Sequence, residues 1–232
     1  MFITVNARYV HATFGLRWLW ANLGELRQQA EICEFTLNHG AEEIADEVLA
    51  KAPRVVGLGV YVWNVRLLTA VVGLLKSRTP DVTLVIGGPE VSHEYEGTPI
   101  FEAADYLIRG EGEIAFARLA ESILAGQAPT NKVIEGGVRD MSLLALPYEA
   151  YSDHDLKTRL TYVEASRGCP FQCGFCLSSL DAHVREFPLA AFLDELGRLI
   201  ARGAWRLKFV DRTFNLKTER VEAVLRFLLA HW

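Results

Sequence analysis

The chain predicts an α/β protein: a parallel sheet covered on both faces, followed by two further βα units. Three observations predict it. Short β-branched runs alternate with amphipathic stretches over residues 1–138. The run "RVVGLGVYV" (54–62) is almost continuously apolar, as a strand buried on both faces must be. After a break at 139–157 the same alternation resumes.

"FITVN" (2–6) reads as the first strand, and apolar residues at helical spacing through "FGLRWLWANLGELRQQA" (14–30) predict one helix. "AEICEFT" (30–36) is a second strand, and "AEEIADEVLAK" (41–51) a helix with acids in its first turn, where the helix dipole favours them. The strand at 54–62 leads into a helix through "VRLLTAVVGLLKSR" (65–78). Strands follow at "VTLVIGG" (82–88), "DYLIRG" (105–110) and "KVIEGG" (132–137), with a helix through "IAFARLAESILAG" between the last two. Residues 139–157 break the rhythm and read as a linker. Residues 158–232 form the second unit: strand "LTYVEASRG" (160–168), helix "PLAAFLDELGRLIARG" (188–203), strand "RLKFVDRTF" (206–214) and helix "KTERVEAVLRFLLAHW". Two βα units close neither a sheet nor a barrel, so the second strand is expected to keep an uncovered edge in an N-terminal portion of a longer architecture.

Half of the 232 residues are hydrophobic and 23% are charged, enough apolar surface for a packed core. The formal charge of −5 argues against a general nucleic-acid or anionic-membrane surface. No run approaches the roughly 20 apolar residues that span a bilayer. With no basic leader before an apolar core, no signal peptide is expected, which predicts a cytoplasmic protein with reduced thiols.

Three of the four cysteines, Cys169, Cys173 and Cys176, form C-x3-C-x2-C on a loop directly after a strand. Three thiolates from one short loop can hold three irons of a [4Fe–4S] cube and leave the fourth open. Structural zinc closes its shell with four ligands, and the nearest fourth candidate, His183, fits no common finger spacing. A redox pair would use Cys173 and Cys176 and leave Cys169 unexplained. Spacing and position favour the cluster over zinc, and zinc over an incidental grouping. Cys33, in an apolar strand, reads as a buried inert thiol.

"RGCPFQCGFC" (167–176) resembles the signature of the radical S-adenosylmethionine (SAM) superfamily, in which an aromatic residue, here Phe175, precedes the third cysteine. The resemblance implies that the three cysteines ligate a [4Fe–4S] cluster, that SAM chelates the open iron, and that Phe175 packs near the adenine. Plain loop packing is the alternative for Phe175. "FVDRTFN" (209–215) resembles the D-x-T-F segment of cobalamin-associated members. At the carboxyl end of a barrel strand, Asp211 and Thr213 would face the cofactor loop. As caps of the following helix they would contribute about 1 kcal/mol instead.

"VIGGPEVS" (85–92) and "RGEGE" (109–113) are glycine-bearing turns at strand ends, and neither carries the G-x-G-x-x-G pattern of a nicotinamide site. Glycine permits close backbone approach to a ligand, although the acids of the second turn also suit a helix start. With "YVWN" (61–64) before them they resemble the cobalamin-binding domain that precedes many radical SAM barrels, and "NARYVHATFGLRWL" (6–19) resembles the opening of one uncharacterised subgroup. By that resemblance Gly87, Gly88, Pro89 and Glu90 line the corrin and its nucleotide tail. Tyr61, Trp63, Asn64, Arg109, Gly110, Glu111, Gly112 and Glu113 complete the crevice. The D-x-H-x-x-G motif is absent, and neither His11 nor His93 is assigned to cobalt.

The fold implied is a Rossmann-like or flavodoxin-like sheet domain followed by the first βα units of an incomplete TIM-type barrel. The function implied is a cobalamin-dependent radical SAM enzyme with an electron donor such as flavodoxin or ferredoxin, its substrate and catalytic residues unassigned. The alternatives are a non-catalytic cofactor-binding fragment and a zinc-binding interaction module.

Overall fold

The computed structural model describes residues 1–231, which divide into two compact units between residues 138 and 139. In the first, six parallel strands form one sheet: β1 (Phe2–Asn6), β2 (Ile32–Thr36), β3 (Val55–Gly59), β4 (Thr83–Gly87), β5 (Tyr106–Arg109) and β6 (Val133–Glu135). Their spatial order is β2-β1-β3-β4-β5-β6. The helices are α1 (Phe14–Ala21), α2 (Ala41–Ala50), α3 (Val65–Arg78), α4 (Pro99–Ala103) and α5 (Glu113–Leu124).

Strand alternation sorts the core into two layers. Ile3, Val5, Val56, Leu58, Leu84, Ile86 and Leu107 face α2, α3 and α4, meeting Ile44, Val48, Leu68, Val72 and Ile100. Phe2, Val55, Val85 and Ile108 face the other way, onto Leu16 of α1 and Phe116 and Leu119 of α5. Each large side chain removed from water stabilises the layer by about 1.5–3 kcal/mol, so both faces of the sheet are covered, as the sequence predicts. The helix expected over 14–30 is shorter. α1 ends at Ala21, and Gly24–Gln29 forms a 3-10 turn whose first residue has φ +57°.

In the second unit, β7 (Thr161–Val163) pairs in parallel with β10 (Leu207–Phe209) across α7 (Leu189–Ala201). α7 buries Phe192, Leu196 and Leu199 along one stripe, and α8 (Thr218–His231) buries Val224. The run expected as one strand over 160–168 is broken. Ser166–Arg167 forms a short β8 that pairs antiparallel with β9 (Arg185–Glu186), bracketing the cysteine loop. Among the described strands β10 pairs with β7 alone.

Residues 139–157, expected as a linker, carry two 3-10 turns and the start of α6 (Asp153–Thr158), and bury Met141, Tyr148, Tyr151 and Leu156. The Tyr151 hydroxyl accepts from Tyr162 N at 3.0 Å and donates to Tyr162 O at 3.1 Å. Tyr148 does the same for Glu164, at 3.1 and 3.3 Å. Residues 161 and 163 turn their backbone groups toward β10. The two tyrosines therefore satisfy the opposite edge of β7, and burial pushes the Tyr148 phenol well above its ordinary pKa. Composition alone hides this, because the edge is covered by side chains and not by a strand.

Candidate functional site

In the first unit the strand order reverses direction between β1 and β3, and open parallel sheets bind ligands at that switch point, outside the carboxyl ends of the strands. The loop after β3 is fastened there by Asn64, which is fully buried. Its amide donates to Val5 O at 3.0 Å and Gly59 O at 3.1 Å, and its oxygen accepts from Tyr61 N at 2.8 Å. The Trp63 indole donates to the same Val5 carbonyl at 3.1 Å and stacks on Tyr61, ring centroids 4.6 Å apart and 7° from parallel. Burial raises the Tyr61 phenol pKa. Val62 and Trp63 are left exposed, 72% and 45%.

The β4 turn comes next. Gly88 has φ +114°, and a Cβ there would lie 2.5 Å from Val60 O, so the backbone this glycine approaches closely is the end of β3. Val60 N donates to Gly87 O at 2.8 Å. Pro89 and Glu90 are exposed beyond it. Arg109 is committed to structure: Nε donates to Ser92 O at 2.9 Å, an Nη pairs with Glu135 at 2.7 Å, and the guanidinium lies 5.4 Å from the Tyr95 ring centre. Ser92 Oγ donates to Gly88 O at 2.8 Å, and Gly110 N donates weakly back to it at 3.4 Å. Glu111 accepts from Val138 N, and Glu113 is a buried first-turn acid of α5 with Gly112 as its cap. The residues expected at the crevice thus divide. Trp63, Pro89 and Glu90 are exposed and Tyr61, Gly87 and Gly88 half-buried, while hydrogen bonds of Asn64, Arg109 and Glu111 hold their loops in place.

In the second unit Gly168, at φ +86°, turns the chain where a Cβ would meet His183 O at 2.2 Å, and Cys169 N donates to Asp181 O. Cys169 is buried, and the Thr213 hydroxyl donates to its sulfur at 3.2 Å. Cys173 and Cys176 are exposed on one turn closed by Cys176 N donating to Cys173 O at 3.0 Å. Hydrogen bonds from Ser178, first its backbone and then its hydroxyl, hold the Cys176 thiol pKa below its ordinary value, and Arg212 adds to this. Phe175 is 95% exposed, so it is not a packing residue of its own loop.

Asp211 and Thr213 do not cap α8, which begins at Thr218. The Asp211 carboxylate accepts from Ala165 N at 3.0 Å and Ser166 Oγ at 2.7 Å, tying the end of β10 to the chain just before the cysteine loop. Sequence reasoning missed Ser166 and Arg220. Arg220 reaches back from α8 to donate to Ala165 O at 3.0 Å and Phe187 O at 2.6 Å. Neither residue belongs to a readable motif. Among the described residues no three His, Cys, Asp or Glu side chains are gathered closely enough to hold a metal ion, His183 included. The donor chemistry of the loop nevertheless fits iron: three soft sulfurs, one with a lowered pKa and one accepting from a hydroxyl. The exposed Val62 and Trp63 beyond the strand ends give the first unit an apolar surface suited to a broad flat ligand.

The B12 binding domain family matches residues 2–120. The chain belongs to that family. It is 27% identical over 210 residues to the cobalamin-dependent radical SAM methyltransferase TokK of Streptomyces tokunonensis, covering 78% of this chain and 30% of the relative. It is 28% identical over 174 residues to an uncharacterized methyltransferase of Pyrococcus horikoshii, covering 63% of this chain and 37% of the relative. The fold is shared with the radical SAM methyltransferase TsrM of Kitasatospora setae, at a TM-score of 0.70 and 19% identity over 99% of this chain and 51% of that one. The B12 binding domain therefore lies within the six-stranded unit, and the βα units after it belong to the same shared fold. The chain spans about a third of the length of these curated relatives and about half of the TsrM chain. Among the described residues no helix is long and apolar enough to cross a membrane.

Proposed function

We propose that residues 1–138 bind cobalamin and that residues 158–232 begin a barrel holding a [4Fe–4S] cluster and SAM, in a cytoplasmic cobalamin-dependent radical SAM enzyme. Methyl transfer is the reaction class that the relatives' names support. When bound, these groups supply reductive cleavage of SAM and a carrier for the methyl group. Electrons would come from a small redox protein such as flavodoxin or ferredoxin.

Cys169, Cys173 and Cys176 are the cluster ligands. Thr213 holds the Cys169 sulfur through its hydroxyl, a contact of the kind that tunes a cluster's potential. Asp211 fixes the strand end that carries the loop, and Phe175 offers an exposed ring face for the adenine. Tyr61, Trp63 and Gly87 to Glu90 line the corrin, and Asn64 with Arg109 to Glu113 positions those loops.

The observation that carries this reading is the Thr213–Cys169 contact beside the Asp211–Ser166 bond, which points the second strand's carboxyl end at the cysteine loop. Anaerobic reconstitution followed by iron, sulfide and zinc analysis tests it. About four irons per chain are expected, with a cluster spectrum that changes on adding SAM. Stoichiometric zinc in place of iron overturns the cluster reading. Gel filtration after incubation with hydroxocobalamin tests the other half, and a folded chain that retains no corrin overturns it.

A further inference from the structure

The segment "NARYVHAT" (6–13) buries Asn6, Ala12 and Thr13 and leaves residues 7–9 exposed. It joins β1 to α1 at the switch point, and its two ends are held by one carboxylate from the neighbouring strand. Glu34, in β2, accepts at one oxygen from Asn6 Nδ2 at 2.6 Å and from Thr13 N at 2.8 Å. Asn6 and Thr13 also bond to each other, the Thr13 hydroxyl donating to Asn6 Oδ1 at 2.9 Å. The other Glu34 oxygen pairs with Arg17 at 2.6 Å, and Arg17 donates to Thr13 O at 2.8 Å. The Arg17 and Glu34 side chains are 3% and 8% exposed.

A buried ion pair of this kind is no better for stability than apolar packing of the same volume, and its best-attested use is to fix one geometry. The geometry fixed here is that of loop 7–12. His11 N donates to Arg8 O, so the loop folds into a turn with Arg8 exposed and Tyr9 half-exposed at its tip. The network does not serve to bury that tip. The loop after β3 is fastened to the same place, through Val5 O. Two loops, one from each strand flanking the switch point, are thus registered on the last two residues of β1.

We propose that Glu34 is a positioning residue that locks loop 7–12 so that Arg8 and Tyr9 contact the polar periphery of the corrin; this rests on the cobalamin reading above. Glu34 itself is too buried to touch the ligand. It acts through Asn6 and Thr13. The ligand groups suited to such a turn are carboxamides and a phosphodiester, which a guanidinium and a phenol can hydrogen-bond.

Two measurements on the full chain test the two halves. Limited trypsin digestion reads cleavage at the Arg8–Tyr9 bond without any cofactor. Glu34→Gln keeps the side chain's shape but turns an amide toward N–H donors, and it should raise cleavage at that bond by about tenfold, with other sites unchanged. Thr13→Val removes one bond and keeps the ion pair. It should give a smaller rise, and it serves if the first variant fails to fold. Unchanged cleavage in a folded variant overturns the lock.

Hydroxocobalamin should then protect the Arg8–Tyr9 bond in the wild type, and Tyr9→Ala, checked to be folded by circular dichroism, should weaken corrin retention by about tenfold. Corrin that binds Tyr9→Ala normally and protects nothing overturns the contact. If the wild type itself retains no corrin, the cobalamin reading and the contact fall together, and the cleavage ratio alone decides the lock.

Discussion

Replacing Gly88 by alanine separates two explanations of the Gly-Gly-Pro turn. The residue sits at φ +114°, and its new methyl group would come to 2.5 Å from the Val60 carbonyl oxygen, a backbone atom that cannot rotate away. The backbone conformation alone costs an L residue about 1–2 kcal/mol, and forcing an extra carbon into a filled site adds about 1–3 kcal/mol. Together these destabilise the chain by about 2–5 kcal/mol, which for its size lowers the melting midpoint by about 4–20 °C. Gly73 provides the opposite control. It lies inside α3, and a methyl group added there would meet nothing within 4 Å, so Gly73→Ala should stabilise by about 0.5–1 kcal/mol. Thermal and urea unfolding followed by far-ultraviolet circular dichroism measures both. A Gly88→Ala protein that melts with the wild type but loses corrin retention refutes the argument, because the glycine would then be serving the ligand and not Val60.

Asp211→Ala leaves Ala165 N and Ser166 Oγ without their acceptor and should destabilise by about 1–3 kcal/mol, read as a fall in urea midpoint; an unchanged midpoint removes Asp211 as the tie between the two strands. In the cofactor-free protein a lowered pKa means more thiolate at neutral pH, so Cys176 should react readily with iodoacetamide there. Ser178→Ala removes a hydrogen-bond donor, raises that pKa and should slow Cys176 at neutral pH while leaving the rate at high pH unchanged. Equal rates in both proteins at neutral pH would show that the Ser178 hydroxyl does not act on the thiol. The trypsin test of Glu34→Gln completes the set.

Much of this arrangement was legible because it is repetitive. The apolar run around Val56 and Leu58, and the helical spacing of Leu68, Val72 and Leu75, carry strand and helix in their periods. The cysteine loop was legible because ligand chemistry imposes spacing. What stayed hidden depends on contacts between distant residues. Asn64 and Arg109 are expected at the crevice through resemblance alone, and the hydrogen bonds by which they hold their loops join residues far apart in the chain. Glu34 gave no signal at all, since a lone acid in a strand is indistinguishable from a solvated one until Arg17 is brought over it. The segment 139–157 hides its contacts for a similar reason: its polar, irregular composition conceals two tyrosines whose hydroxyls meet a strand edge.

Those tyrosines decide the direction in which the second sheet can grow. Tyr148 and Tyr151 together make four hydrogen bonds to the outward edge of β7. At about 1 kcal/mol apiece, a strand arriving on that side would have to displace them all before gaining any pairing of its own. Among the described residues the free edge of β10 carries no such pair of hydroxyls, so a further strand can pair there without first displacing side chains.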